Sequence, residues 1–551
     1  MTPILEINDL HVVFDTPEGI LRAVDGVSLS MNPGDTLGLV GESGCGKTVT
    51  AMSILRLIPD PPGRITSGTI KFNGQDIASL PLKELRKIRG AAVGMVFQDP
   101  MTALSPLHRI GDQLVEAIRL HDQRIPKNEA LALASEWLVK AGIDDPKRCL
   151  GEYPFRLSGG QQQRVMIASV LMTNPSLIIA DEPTTALDAT TQKQVLELMR
   201  NIKGDDTALL LITHNMGVVA NTCSRIAVMY AGEIVETGNV EEVFHSPGHP
   251  YTRALLDAMP SNSRPGERLA AIPGAVPSLL SYPAGCRFHD RCQFVISECN
   301  STHPELKKFE NSKTHSTRCL VWINSTAETR LHSKSKTALS TKLPNPDYAA
   351  EPVIRSKELH KKFKTVHAVK SLNISLYPGE TLGLVGESGC GKTTFARMIA
   401  GLETPTKGEI HIDGNQVYSN RSMSVKRDVQ MVFQDPFSSL NPRMSVGDII
   451  TEGAVFHGII KRSERISEAA RLLNLVGMPP EAAFRYPHEF SGGQRQRISI
   501  ARAIALQPRV IICDEPVSAL DDSVPAQVLN LLVDLQRELN LAYLFITHDI
   551  S

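Results

Sequence analysis

The thirteen residues TLGLVGESGCGKT occupy positions 36–48 and recur letter for letter at 381–393. No other feature of the 551-residue chain restricts its fold as tightly. Gly41, Glu42, Ser43, Gly44, Cys45, Gly46, Lys47 and Thr48 fit the pattern G-x-x-x-x-G-K-[ST], and Leu37, Leu39 and Val40 before them read as a buried strand. That context is the one a P-loop needs. Its glycines let the backbone turn without a Cβ clash, so that N–H groups and the N-terminus of the following helix converge on phosphate. Lys47 is then expected to reach the β- and γ-phosphates, and Thr48 to offer its hydroxyl to Mg²⁺. Gly386, Glu387, Ser388, Gly389, Cys390, Gly391, Lys392 and Thr393 repeat the arrangement. A glycine-rich turn without a ligand is the bland reading of one copy, and a weak one for two.

The repeat extends beyond the loop. MVFQDP stands at 95–100 and 431–436, SGGQ at 158–161 and 491–494, DEP at 181–183 and 514–516, and ITH at 212–214 and 546–548. The offset between copies falls from 345 to 333 residues, as expected for one domain present twice with small loop deletions. The polar tract 325–351, rich in Ser, Thr and Lys, reads as a linker. It divides a first domain (1–260) and a cysteine-rich extension (261–324) from a second domain (352–551). The 58 basic and 59 acidic residues nearly cancel, which gives no electrostatic footprint for nucleic acid. No secretory leader and no apolar run of membrane-spanning length is apparent.

Within each copy, the short apolar runs 177–180 and 510–513 fit strands covered on both faces. Asp181 and Asp514 then lie at the strand ends, where open α/β sheets bind ligands. Each could hold Mg²⁺, and the adjacent Glu182 or Glu515 could accept a proton from an attacking water. Ser158 and Ser491, each followed three residues later by Gln, read as helix-capping boxes. The same residues also leave a glycine-flanked helix N-terminus, a ready anion site.

In this order the motifs resemble those of ATP-binding-cassette ATPases, and all of them occur twice. The resemblance implies an α/β fold: two tandem P-loop NTPase domains, each a mostly parallel core sheet with a helical subdomain and an antiparallel β subdomain. It implies ATP and Mg²⁺ as ligands, with Gln98 and Gln434 as Q-loop glutamines that also approach the metal. Asp188 and Asp521 match the D-loop aspartates, and His214 and His548 the switch histidines. Phe14 and Phe363 are similar in position to the aromatic residue that stacks on adenine. Each nucleotide would lie between the P-loop of one cassette and the signature of the other. Lys47, Thr48, Gln98, Asp181, Glu182 and His214 would thus face Ser491 and Gly493, and Lys392, Thr393, Gln434, Asp514, Glu515 and His548 would face Ser158 and Gly160.

About 110 residues separate Thr48 from Ser158, and about 100 separate Thr393 from Ser491, too few for an inserted zinc module of the repair ATPases. The short linker, with Pro344, Pro346 and Pro352 in or beside it, does not suit the long arm of the translation factors. Those nucleic-acid-associated tandem ATPases are the alternative to transport. DPMTALSPLHRIG, DPFSSLNPRMSVG and SPGHPYTRALLDAMP resemble the ATPases of peptide and nickel importers. That implies two membrane permease subunits, a periplasmic solute-binding protein behind them, no nucleic acid, pairing of the two cassettes within the chain, and a peripheral place on the cytoplasmic face of the bacterial inner membrane. Peptide is the expected solute, with glutathione, nickel and opines open.

Cys286, Cys292, Cys299 and Cys319 gather four of the nine cysteines, with five, six and nineteen residues between them. Zinc knuckles open with a tighter C-x₂₋₄-C, and wider gaps suit an iron–sulfur cluster at least as well. The region resembles the cysteine-rich extension of peptide-importer ATPases, which implies a 4Fe-4S cluster; zinc and unliganded thiols remain alternatives. Finally, the second copy runs only to Ser551, three residues past His548, whereas the first continues past His214 through RIAVMYAGEIVETG to about Pro260. The second cassette therefore reads as truncated, and an inactive remnant is the rival to a working motor.

Overall fold

The computed structural model describes residues 2–184, 189–202, 204–259, 268–324, 346–364, 366–387, 389–417, 422–518 and 523–548. Asp188, Asp521, Ser388 and most of the 325–351 linker lie outside them. The chain divides into two units, one of residues 1–262 and 272–337 and the other of 263–271 and 338–551.

In the first unit an eight-stranded sheet runs in the order Lys307–Lys308, Ser316–Thr317, Glu233–Asn239, Arg225–Tyr230, Thr36–Val40, Ala208–Thr213, Leu177–Asp181, Val93–Val96. The last five strands are parallel and the first three join antiparallel at one edge. Side chains alternate across a pleated strand, so each central strand feeds two cores. Leu37, Leu39, Ile179, Leu210 and Met229 pack on one face, and Val40, Ile178, Leu209, Leu211 and Val228 on the other. This double burial explains why the strands read as unbroken apolar runs. A separate antiparallel sheet is built from Gly19–Met31, Leu5–Thr16, Gly63–Phe72 and Gln75–Asp76. A helical layer supplies its own core through Ile110, Leu114 and Ile118 against Ala130, Ala134 and Leu138. Their three- and four-residue spacing puts each set on one helix face.

The second unit repeats this plan. Its parallel sheet runs Thr381–Val385, Ala542–Thr547, Val510–Asp514, Val429–Val432. Its antiparallel sheet runs Val366–Leu376, Ile354–Phe363, Lys407–Ile412, Asn415–Val417. The mostly parallel sheet, the helical layer and the antiparallel sheet expected of each domain are thus all present. One difference has a direct physical cause. The pentapeptide TLGLV is almost wholly buried in the first unit and alternately exposed in the second. In the first it is flanked by the strands Ala208–Thr213 and Arg225–Tyr230; in the second, among the described residues, it pairs only with Ala542–Thr547 and stands at the sheet edge. Among the described residues no helix is long and apolar enough to cross a membrane.

Candidate functional site

Each P-loop turns from its strand into a helix, Lys47–Ile54 or Lys392–Ala400. Gly46 and Gly391 sit at the turn with φ near 105°, and a Cβ there would meet the carbonyl oxygen of Ala23 at 2.3 Å or of Ala368 at 2.1 Å. Only glycine satisfies both the conformation and the space. Lys47 Nζ donates to the carbonyls of Gly41 (2.7 Å) and Glu42 (3.0 Å), and Lys392 Nζ to those of Gly386 (2.6 Å) and Glu387 (2.8 Å). Both lysines are buried, so each is aimed inward along its own loop rather than into bulk water.

The strand-end carboxylates arrive where parallel-sheet geometry places them. Thr48 Oγ1 donates to Asp181 Oδ1 and Thr393 Oγ1 to Asp514 Oδ1, each at 3.1 Å. Burial pushes the Asp181 carboxyl up to about 6, with the neighbouring Glu182 charge adding to it against the Thr48 bond and Lys47. Asp514 is raised for the same first reason. A cation bound between this hydroxyl and carboxylate would favour the ionised form and remove that cost. The donor set, hydroxyl and carboxylate oxygens, is the hard-oxygen chemistry that Mg²⁺ prefers.

Glu182 and Glu515 carry left-handed φ values of 45° and 47°. A non-glycine residue in that region costs roughly 1–2 kcal/mol, and here the kink turns the carboxylate out of the strand's alternation. Gln98 Nε2 donates to Glu182 Oε2 (3.0 Å), while His214 Nδ1 lies 3.2 Å from Oε1. In the second unit Gln434 Nε2 donates to Glu515 Oε2 (2.8 Å), and His548 Nδ1 is 3.2 Å from the same oxygen. The bond to His548 holds the Glu515 carboxyl below its usual range, against the opposing effect of burial. The residues read from the motifs are therefore brought together twice, with matching contacts.

Ser158 and Ser491 begin the helices Gly159–Leu171 and Gly492–Ile504, and both form full capping boxes with Gln161 and Gln494. Ser158 is exposed and Gly160 half-buried; Ser491 is exposed and Gly493 buried. Phe14 is half-buried against the antiparallel-sheet core. Phe363 is exposed, with Lys361 Nζ 4.7 Å above its ring.

Two residues outside the nucleotide motifs, Tyr251 and Arg291, contact the first loop, and Tyr230 contacts the arginine. The backbone N–H of Glu42 donates to Tyr251 Oη at 2.9 Å. Its carboxylate receives Arg291 Nη1 on Oε2 (2.6 Å) and Nη2 on Oε1 (2.9 Å), and the same Nη1 reaches Tyr230 Oη at 3.3 Å. Only the tertiary fold joins positions so far apart in the chain. The sole sequence signal is that Tyr251 lies in SPGHPYTRALLDAMP and Arg291 between Cys286 and Cys292.

The four grouped cysteines fold in irregular turns beside that arginine. Cys286 N–H donates to the Cys299 carbonyl at 2.8 Å. Backbone N–H groups of Phe294 and Trp322 reach Cys292 Sγ and Cys319 Sγ, each at 3.4 Å. Burial pushes the Cys286 and Cys292 thiols up to about 12, and the charge of other cysteines in the group adds to it. Among the described residues no group of three or more His, Cys, Asp or Glu could hold a metal ion.

The family model described as ABC transporter matches residues 24–185 and 369–518. That of the Oligopeptide/dipeptide transporter, C-terminal region, matches residues 235–299. The chain is 41% identical over 575 residues to the oligopeptide transport ATP-binding protein OppD of Mycobacterium tuberculosis strain H37Rv, covering 100% of this chain and 92% of that protein. It is 40% identical over 557 residues to the glutathione import ATP-binding protein GsiA of Escherichia coli strain K12, covering 100% and 82%. Among solved structures it is similar to the dimeric post-hydrolysis ATP-binding cassette MJ0796 bound to ADP and Pi, at 28% identity and a TM-score of 0.40, over 43% of this chain and 98% of that one.

Proposed function

The chain belongs to the ABC transporter ATP-binding family, and on that premise we propose that it is the ATP-hydrolysing subunit of an importer for short peptides. The match of residues 235–299 to the oligopeptide and dipeptide transporter C-terminal region carries this reading, because that region separates this trade from other cassette ATPases. Both relatives named above handle peptide-like solutes by name, an oligopeptide in one and the tripeptide glutathione in the other.

At each site the P-loop amides and Lys47 or Lys392 bind and orient the triphosphate. Thr48 with Asp181, and Thr393 with Asp514, would hold Mg²⁺, which would neutralise charge on the phosphate oxygens. Glu182 or Glu515 accepts the proton of a water attacking in line. Gln98 with His214, or Gln434 with His548, fixes that carboxylate at the strand end. The exposed signature serines, Ser491 and Ser158, cover the nucleotide of the opposite cassette. ATP thus closes the two cassettes on each other and hydrolysis releases them. The motion is delivered to two membrane permeases fed by a solute-binding protein, with the chain peripheral to the inner membrane.

The thiols of Cys286, Cys292, Cys299 and Cys319 would hold a four-iron cluster in a structural role once drawn together around it, a reading that rests on the resemblance of this region to the cysteine-rich extension of peptide-importer ATPases. Two backbone N–H···S bonds already point at sulfur, as such clusters favour. Anaerobically prepared protein should be brown and lose its colour on Cys292→Ser; a colourless protein with stoichiometric zinc would reject the cluster. The transport reading is tested by reconstituting the chain with the membrane subunits that co-purify with it. Peptide-loaded binding protein should stimulate ATP hydrolysis. Stimulation by nucleic acid or ribosomes instead would overturn the reading.

A further inference from the structure

A carboxylate inside a phosphate-binding loop works against the loop's purpose, since it repels the triphosphate that the amides and lysine attract. Both P-loops nevertheless carry one, at Glu42 and Glu387. In the second loop Glu387 is exposed, where water and salt screen its charge. In the first, Glu42 is buried, and an unscreened charge there acts at full strength on its neighbours.

Arg291 meets that charge. Its guanidinium makes both parallel bonds to the Glu42 carboxylate, with side-chain exposures of 3% and 9% for the pair. Paired forks of this kind fix direction as well as charge. The arginine is itself anchored: Nε donates to the Pro273 carbonyl at 2.8 Å, and the guanidinium lies 5.7 Å from the Tyr230 ring and 5.8 Å from that of Phe288. The short 3₁₀ turn His289–Arg291 that presents it ends at Cys292. Tyr251 Oη holds the Glu42 amide from the same side, and the Gly232 N–H holds the Cys45 carbonyl at 3.0 Å.

We propose that Arg291 is a positioning residue for the first nucleotide site, neutralising the Glu42 carboxylate and drawing it into the interior so that the P-loop accepts a triphosphate. The cysteine-rich region is then part of that site rather than an appendage. In the second loop the matching glutamate, Glu387, is exposed, so Arg291 is expected to act on the first site alone.

The inference rests on reading the P-loop as the nucleotide site, and the test separates the two. In full-length protein carrying Lys392→Ala, binding of the non-hydrolysable analogue AMP-PNP with Mg²⁺ reports the first site. Adding Lys47→Ala must abolish it; if it does not, the P-loop reading itself fails. Adding Arg291→Met instead should weaken binding roughly tenfold or more, up to about 10²-fold, the scale on which a small misplacement of a site is felt. Arg291→Lys keeps the charge but not the fork and should fall between. The decisive variant is Arg291→Met with Glu42→Gln. With the carboxylate neutral, binding should return to within about threefold of the Lys392→Ala parent. A residue that merely supports the fold would give no such rescue. The proposal is overturned if Arg291→Met and Arg291→Lys both leave first-site affinity unchanged, if the double variant is as weak as Arg291→Met, or if Arg291→Met weakens the second site equally in a Lys47→Ala background.

Discussion

Asp181 shows how a single residue trades stability for chemistry. Its carboxyl is buried at a strand end beside Glu182, and its pKa rises from an ordinary 3.8 to about 6. A folded pKa above the unfolded one favours the protonated folded state. The associated stability is complete below about pH 4 and is lost as pH rises through about 6. In metal-free and nucleotide-free protein, Asp181→Asn should therefore raise stability above pH 6 by up to about 3 kcal/mol, a tenfold change in proton affinity being worth about 1.4 kcal/mol, and make no difference near pH 4. Thermal melting across pH measures this, and an equal effect at both ends would contradict it. With Mg²⁺ and nucleotide the order should reverse, because the ion rewards the charged carboxylate that the fold penalises. Such a residue is one a stability-optimised chain would discard and a working site retains. The place of Asp181, at a strand end against Thr48, was legible in the sequence, since an acid ending an apolar strand downstream of a P-loop is a local pattern. Arg291 was not, because its meaning depends on a contact 249 residues away.

Among elements, the two copies of TLGLV separate what a sequence states from what a fold decides. Strand formation was legible in both, from the apolar run before the glycine-rich loop. The difference in burial lies in the partners rather than the five letters, which are enclosed by two strands in one unit and lie at an edge in the other, and it too was legible, since only the first copy is followed by RIAVMYAGEIVETG. The central glycine makes the difference measurable. A Cβ on Gly38 would meet Val219 methyls at 2.8 and 3.0 Å, whereas one on Gly383 meets nothing within 4 Å. Gly38→Ala should cost about 1–3 kcal/mol through overpacking. Gly383→Ala should be neutral or stabilising by up to about 1 kcal/mol, since glycine is entropically costly in a strand. Amide hydrogen exchange within 36–40 and 381–385 reads each locally. Faster exchange on Gly38→Ala, with none on Gly383→Ala, is expected; equal responses would mean that the environments do not differ as described. The signature helices were legible at their N-termini, because the capping box is a four-residue pattern with its own geometry.

For the whole molecule, duplication is the central fact, and it accounts for the chain's length, its division into two units and the repeat of every motif. The fold was legible because each motif recurs in the same order at nearly constant offset. What no motif reveals is which contacts make the copies unequal, and there the first unit, with its P-loop gripped by the cysteine-rich region, departs from the second. The proposal that neither cassette completes a site alone is the one on which the proposed motor turns. Single-turnover hydrolysis by full-length protein carrying Lys392→Ala, which leaves only the Lys47 site loaded, tests it directly. Adding Ser491→Ala, in the other cassette, should cut hydrolysis about 10²- to 10³-fold, the usual worth of one donor aimed at a transition-state charge. It should do so far more than Ser158→Ala in the same cassette as Lys47. Hydrolysis that survives Ser491→Ala and fails on Ser158→Ala would contradict the account, because each cassette would then complete its own site.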